Sequence, residues 1–105
     1  MEIRRLFPEP EMPARGERCE TLLESGELRI ERILSAPGSA SGPYDQERDE
    51  WVLLLQGRAV LEVEGERVEL TAGEALWLPA HTVHSILDTS DDPPCVWLAV
   101  HIDPA

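Results

Sequence analysis

The stretch "WVLLLQGRAVLEVEGERVEL", Trp51 to Leu70, decides how the rest of the chain is read. Ala59, Leu61 and Val63 fall on one face of an extended segment, whereas Arg58, Glu62 and Glu64 share the other with Val60. Successive side chains of a strand point to opposite sides, so this alternation marks a half-buried β-strand. Two dipeptides interrupt the run, Gln56-Gly57 and Glu64-Gly65, and both have the form of hairpin turns. The same period of two extends outward. "CETLLES" (19–25), "ELRIERIL" (27–34), the two halves of "TAGEALWLPAHTVHSILDTS" (71–90) broken at Pro79, and "CVWLAVHI" (95–102) all read as strands. "SAPGSASGP" (35–43) is a loop by composition and "DDPP" (91–94) a turn. No window shows a helical period. Short strands at regular spacing, separated by Gly and Pro, predict an all-β sandwich or barrel.

At 105 residues the chain predicts one domain with a single modest core. Residues 7–18, "FPEPEMPARGER", hold three prolines among polar neighbours. They read as an extended arm, giving an arm over residues 1–18 and a barrel over 19–105. The formal net charge of −12 argues against nucleic acid and anionic membrane as partners. No apolar run nears the roughly 18 residues needed to cross a bilayer. "MEIRRLFPEPEMP" lacks the apolar block of a secretory signal, so the expected location is cytoplasmic. Cys19 and Cys95 lack metal-type spacing and are expected to be buried free thiols there.

Two strands are apolar on both faces. Trp51, Leu53 and Leu55 oppose Val52 and Leu54; Trp97, Ala99 and His101 oppose Val96, Leu98, Val100 and Ile102. A barrel has one dry side, so apolar residues outside need a cover. The N-terminal arm is one candidate and a second subunit is the other; a homodimer is expected. The three tryptophans read as core or interface.

Polar side chains set among these strands are the candidates for chemistry: Tyr44, Gln46, Glu50, His81, His84 and His101. Glu50 abuts "WVLLL" with no turn residue between, and an ionised carboxylate held inside must be paired or metal-bound. It could otherwise be an exposed strand start, or paired with Arg48 or Arg58. With no thiolate in the set, the fitting ions are Fe, Mn, Ni or Zn. Gln46 and Glu50 would lie about 13 Å apart on one extended strand at ~3.3 Å per residue. They can serve one site only if the chain turns at "ERD", 47–49.

The spacing of these residues resembles that of the cupin family. Its first motif, Gly-x5-His-x-His-x3-4-Glu-x6-Gly, aligns with Gly38, Tyr44, Gln46, Glu50 and Gly57. Its second, Gly-x5-Pro-x-Gly-x2-His-x3-Asn, aligns with Gly73, Pro79, His81, His84 and Asp88. The "YDQ…EWVLLL" and "WLAVH" segments are similar to those of small single-domain cupins without an assigned reaction. The resemblance implies a double-stranded β-helix (jelly-roll) barrel with an extended N-terminal arm. It implies that Glu50 and His84 are metal-ligand positions. Tyr44 and Gln46 stand where the family has two histidines. Gln46 still offers a carbonyl oxygen; Tyr44 reads as a cavity wall. His81 occupies a turn-glycine position, either as a surface residue or as a third ligand. His101 is a further pocket candidate or a core histidine. The expected function is a metal-binding cupin acting on a small polar metabolite, with dioxygenase- or isomerase-like chemistry. The alternatives are a metal-free, non-catalytic module binding a small molecule and a structural dimer.

Overall fold

In a computed structural model, which describes residues 1, 3–6 and 11–104, the described residues form nine β-strands and no helix. In chain order they are β1 (Glu17–Ser25), β2 (Leu28–Ser35), β3 (Ser41–Tyr44), β4 (Asp49–Gln56), β5 (Arg58–Val63), β6 (Glu66–Thr71), β7 (Ala75–Leu78), β8 (His84–Thr89) and β9 (Cys95–Ile102). One sheet has the order β1-β2-β9-β4-β7 and the other β3-β8-β5-β6. All pairings are antiparallel. Two sheets whose neighbours are rarely consecutive in sequence make a jelly-roll, the double-stranded β-helix. No helix among the described residues is long and apolar enough to cross a membrane. Residues 7–10 of the expected arm lie outside the described residues.

The sheets close on one core. Val52 and Leu54 of β4, Ala59 and Leu61 of β5, Leu70 of β6, Leu78 of β7 and Trp97 and Ala99 of β9 are buried together. Each large apolar side chain enclosed here stabilises the fold by about 1.5–3 kcal/mol relative to exposure. Trp97 keeps its indole N–H satisfied by donating to Ser35 Oγ at 2.9 Å.

The back of the five-stranded sheet is covered in part. Leu34 and Val96 point away from the core yet are fully buried. Beside them Arg32 donates from Nη1 to the Leu6 carbonyl at 2.9 Å and from Nη2 to both Glu20 carboxylate oxygens. These bonds hold the Glu20 carboxyl below the usual carboxylate range and tie the N-terminal segment to the outer face of β2. Trp51 and Trp77, directly opposite each other on β4 and β7, stay about half exposed on the same side.

Two sequence readings are corrected. Ser41–Pro43, the end of the stretch read as loop, instead joins Tyr44 in β3, an edge strand, where a proline removes no needed ladder bond. Gln56-Gly57 is not a hairpin: β4 and β5 lie in different sheets, and the chain crosses between them at Gly57. A Cβ there would lie 2.8 Å from Ser90 Oγ and 2.9 Å from Cys95 Sγ, and the φ of 94° is disfavoured for other residues. Glu64-Gly65 is a true two-residue hairpin, with φ of 50° and 80° as the strand twist requires.

The contrast between the two glycines is measurable. Gly57→Ala is expected to lower the unfolding free energy by about 2–4 kcal/mol, through strain and overpacking together. Gly65→Ala meets open space and carries only the φ penalty, about 1 kcal/mol. Urea denaturation of both variants reads the difference; equal losses would show that the crossing at Gly57 is not tightly packed.

Candidate functional site

The register of the larger sheet sets three polar residues side by side. Arg29 of β2 lies opposite His101 of β9, and His101 opposite Glu50 of β4. Directly paired residues share a face about 5 Å apart, so the row carries a guanidinium, an imidazole and a carboxylate. That face is the inner one, since Trp97 and Ala99 alternate with His101 on β9. Glu31 follows two residues along β2. From the facing sheet, Tyr44 and His84 are register partners with ring centroids 5.4 Å apart. The chain bends at Glu47 and Arg48, which brings Gln46 to the same place as Glu50. All these side chains line one cavity of about 360 Å³, with Glu17 and Cys19 of β1 at its wall.

The hydrogen bonds fix what each histidine offers. His84 Nδ1 lies 2.9 Å from the Thr82 carbonyl oxygen, which can only accept. Nδ1 therefore carries a proton, and Nε2 faces Glu50 Oε1 at 3.9 Å. Glu50 itself is 8 % exposed. In His101 the pattern reverses. Arg48 Nε donates to Nδ1 at 3.2 Å, so the neutral ring carries its proton on Nε2. Glu31 Oε1 is 2.7 Å from that Nε2, yet the approach is not aligned for a hydrogen bond.

His81 lies elsewhere. Its ring is 64 % exposed and pairs with Asp45 at 2.8 Å. Its φ of 63° is the left-handed conformation that a turn glycine would take. It touches the outer side of the wall formed by Gln46, Glu50 and His84, a gap too tight for a solvent molecule. The structure thus gathers Tyr44, Gln46, Glu50, His84 and His101 around one cavity and puts His81 at its outer surface. Glu17, Cys19, Arg29, Glu31 and Arg48 also line that cavity, and the sequence reading did not select them. Their signal was the charge at alternate positions of "LRIER", which ordinarily marks a solvated face.

Glu50 and His84 are close enough for one ion to touch both at the usual 2.0–2.2 Å. Among the described residues no group of three or more His, Cys, Asp or Glu converges as a metal site would. His101 is engaged by Arg48 and His81 by Asp45. Of the ligands expected from the sequence, Gln46 remains, through its amide oxygen. The firm donors number two where such sites ordinarily use three or more.

Comparison with known proteins accords with this architecture. The family described as Cupin domain matches residues 32–101. A candidate mannose-6-phosphate isomerase from Ralstonia eutropha JMP134 is 39 % identical, with 99 % of this chain and 100 % of that one covered and a TM-score of 0.88. A cupin 2 conserved barrel domain protein from Salinispora arenicola CNS-205 is 26 % identical over 98 % of this chain and 89 % of that one, with a TM-score of 0.77. KdgF from Halomonas sp., 22 % identical over 86 % and 81 % with a TM-score of 0.77, shares the fold. No curated protein matches the chain.

Burial holds the His101 imidazole below its ordinary range; Arg48 and Arg29 push the same way, and Glu50 and Glu31 oppose them. The unfolded chain therefore binds a proton at this residue at higher pH than the folded one. The resulting stabilisation is complete above the unfolded pKa, about 6.5, and is lost as pH falls through the folded value. Glu17 has the opposite sign. Burial raises its carboxyl pKa against the pull of the Ser41, Ser35 and Tyr44 hydroxyls, so its contribution is complete below the unfolded value and lost as pH rises through the folded one. From pH 7 to pH 5 the melting temperature of the parent is expected to fall relative to that of His101→Gln. Parallel curves by circular dichroism would show that His101 contributes no such linkage.

Proposed function

This chain belongs to the cupin domain family, and we propose from that premise that its cavity binds a small polar metabolite on which Glu50 and His84 act. The observation that carries this reading is the buried Glu50 carboxyl group facing the His84 Nε2 at 3.9 Å, inside a cavity large enough for a small metabolite. One group can take a proton from a ligand carbon or hydroxyl while the other returns one at a neighbouring atom. That is the proton traffic of a carbonyl–hydroxyl isomerisation, and the likeness to a candidate mannose-6-phosphate isomerase supports it. Tyr44 and Gln46 would orient the ligand by hydrogen bonds. The same pocket without turnover is a binding module. Two free thiols, Cys95 buried as expected and Cys19 exposed contrary to expectation, support a reducing, cytoplasmic setting.

A second reading is a divalent ion, Fe, Mn, Ni or Zn, on Glu50, His84 and the Gln46 amide oxygen. The Nδ1–H bond of His84 to a carbonyl favours it, since metal-bound histidines are commonly oriented this way. A bound ion would polarise a ligand oxygen as a Lewis acid. With two firm donors the metal-free reading leads.

Metal analysis by mass spectrometry, on protein purified without a metal-affinity tag, separates the two. The metal-free reading expects no stoichiometric metal, even after reconstitution. It also expects small polar compounds, monosaccharides and their phosphates among them, to raise the melting temperature of the parent. Glu50→Ala and His84→Ala should each weaken that binding by about tenfold or more, the equivalent of ~1.4 kcal/mol. About one equivalent of metal in the parent, lost in both variants, would instead establish the second reading.

We further propose a homodimer through the outer face of the five-stranded sheet. Trp51 and Trp77, 43 % and 50 % exposed and opposite each other, sit beside Val100 and Leu53 on that face, and an apolar surface of this kind favours association. Light scattering at micromolar concentration is expected to give a dimeric mass that Trp51→Glu reduces to a monomer. A monomeric parent would remove the proposal.

A further inference from the structure

Among the described residues three buried side-chain nitrogens have no hydrogen-bond partner, and two of them belong to this cavity: Nε of Arg29 and Nε2 of His101. Both are donors. A buried donor left unpaired costs roughly 1–3 kcal/mol, so a pair on directly opposed residues is a feature that calls for an acceptor. Glu31 lies near both but hydrogen-bonds neither: its Oε1 is 3.8 Å from Arg29 Nε, an ion-pair distance, and 2.7 Å from His101 Nε2 but out of line with it. Arg48 stands on the other side of the same imidazole. It gives its Nε to a neutral acceptor, His101 Nδ1, and forms no ion pair among the described residues. Two guanidinium groups thus flank His101 in the cavity of a chain whose net charge is −12.

Arg48 has no carboxylate partner among the described residues, and Arg29 meets one only at the 3.8 Å of its ion pair with Glu31. A guanidinium so placed in a cavity is suited to a planar or tetrahedral oxyanion, which its fork grips through two N–H bonds. We infer that the ligand of this cavity carries a carboxylate or phosphate group, and that Arg29 and Arg48 hold it beside His101. Glu17, Glu31 and Glu50 line the same space, so the field is not uniformly positive. Glu50 faces His84 and Glu31 faces His101; the groups with donors to spare are the two guanidinium forks. The anionic head would sit over the row Arg29–His101 and leave the polar body of the ligand toward Glu50 and His84. The inference rests on the reading of the cavity as a ligand site and adds the chemical class of the ligand.

Calorimetric titration at constant ionic strength, in a buffer free of phosphate and carboxylate, tests it with three probes: inorganic phosphate, malonate and uncharged mannose. The proteins are the parent, Arg29→Gln, Arg48→Gln, Arg48→Lys and Arg67→Gln. Arg67 is exposed and pairs with Glu69 on the other sheet, so its variant removes the same charge far from the cavity. Expected is binding of phosphate, malonate or both, weakened about tenfold or more in Arg29→Gln and Arg48→Gln and unchanged in Arg67→Gln. Arg48→Lys, which keeps the charge and loses the fork, should fall between. The stronger of the two anions names the head group. Mannose binding without either anion overturns the inference and leaves the ligand cavity standing. Anion binding that ignores both cavity arginines overturns it as well, and no binding by any probe removes both. Should Arg29→Gln fail to fold, Arg48→Gln, on a loop, carries the same test.

Discussion

The register of β9 between β2 and β4 is the constraint on which the molecule depends. It places Arg29, His101 and Glu50 in one row across the inner face. Strand pairing of this kind admits no small adjustment. A slip of β9 by one residue would turn His101 outward from between Arg29 and Glu50 and set an apolar neighbour such as Val100 in its place. The apolar row Ile33–Trp97–Leu54, farther along the same strands, holds the register in place. The hydrophobic end of the barrel thus positions the polar end.

Polar groups so positioned are costly to bury, and the structure shows how the cost is contained. The charges concentrate where the barrel opens into a cavity, while the core beyond it is apolar. His84 gives its ring proton to a backbone carbonyl, and His101 stays neutral beside an arginine. What is left without a hydrogen bond is one-sided: donors on Arg29 and His101, with Arg48, bonded to His101 but in no ion pair among the described residues, beside them. An enclosed space with surplus donors, a buried carboxyl group and an imidazole nitrogen facing it is arranged for a guest rather than for stability alone. The outer face of the sheet follows from the same inversion. With charges turned inward on β2, its apolar residues turn outward and need the N-terminal segment, pinned by Arg32 to Leu6, to cover them.

Much of this was legible along the chain. Alternation in 58–63 and 95–102, the breaks at Pro79 and "DDPP", and the spacing of Glu50 and His84 gave the strands, the barrel and five residues that line the cavity. The side chains that escaped were the charged ones of β2 and the bend. Arg29 and Glu31 looked like a solvated face because charge at alternate positions ordinarily is one; nothing local says that Leu28 and Ile30 are the outward pair. Arg48 looked like part of a polar turn.

The sequence by itself determined which segments are strands, since a period of two is a local property of side chains on an extended backbone. It also determined that an acidic group adjoins an apolar run at Glu50. Only the tertiary structure decided which face of β2 turns inward, that the chain changes sheets at Gly57, and that His81 pairs with Asp45 at the surface while His101 is enclosed. Each of those is settled by residues distant in the chain: Ser90 and Cys95 crowding Gly57, Trp97 fixing the face of His101, and Leu6 over Arg32. Alternation records that a strand has two faces; packing against another part of the chain chooses between them.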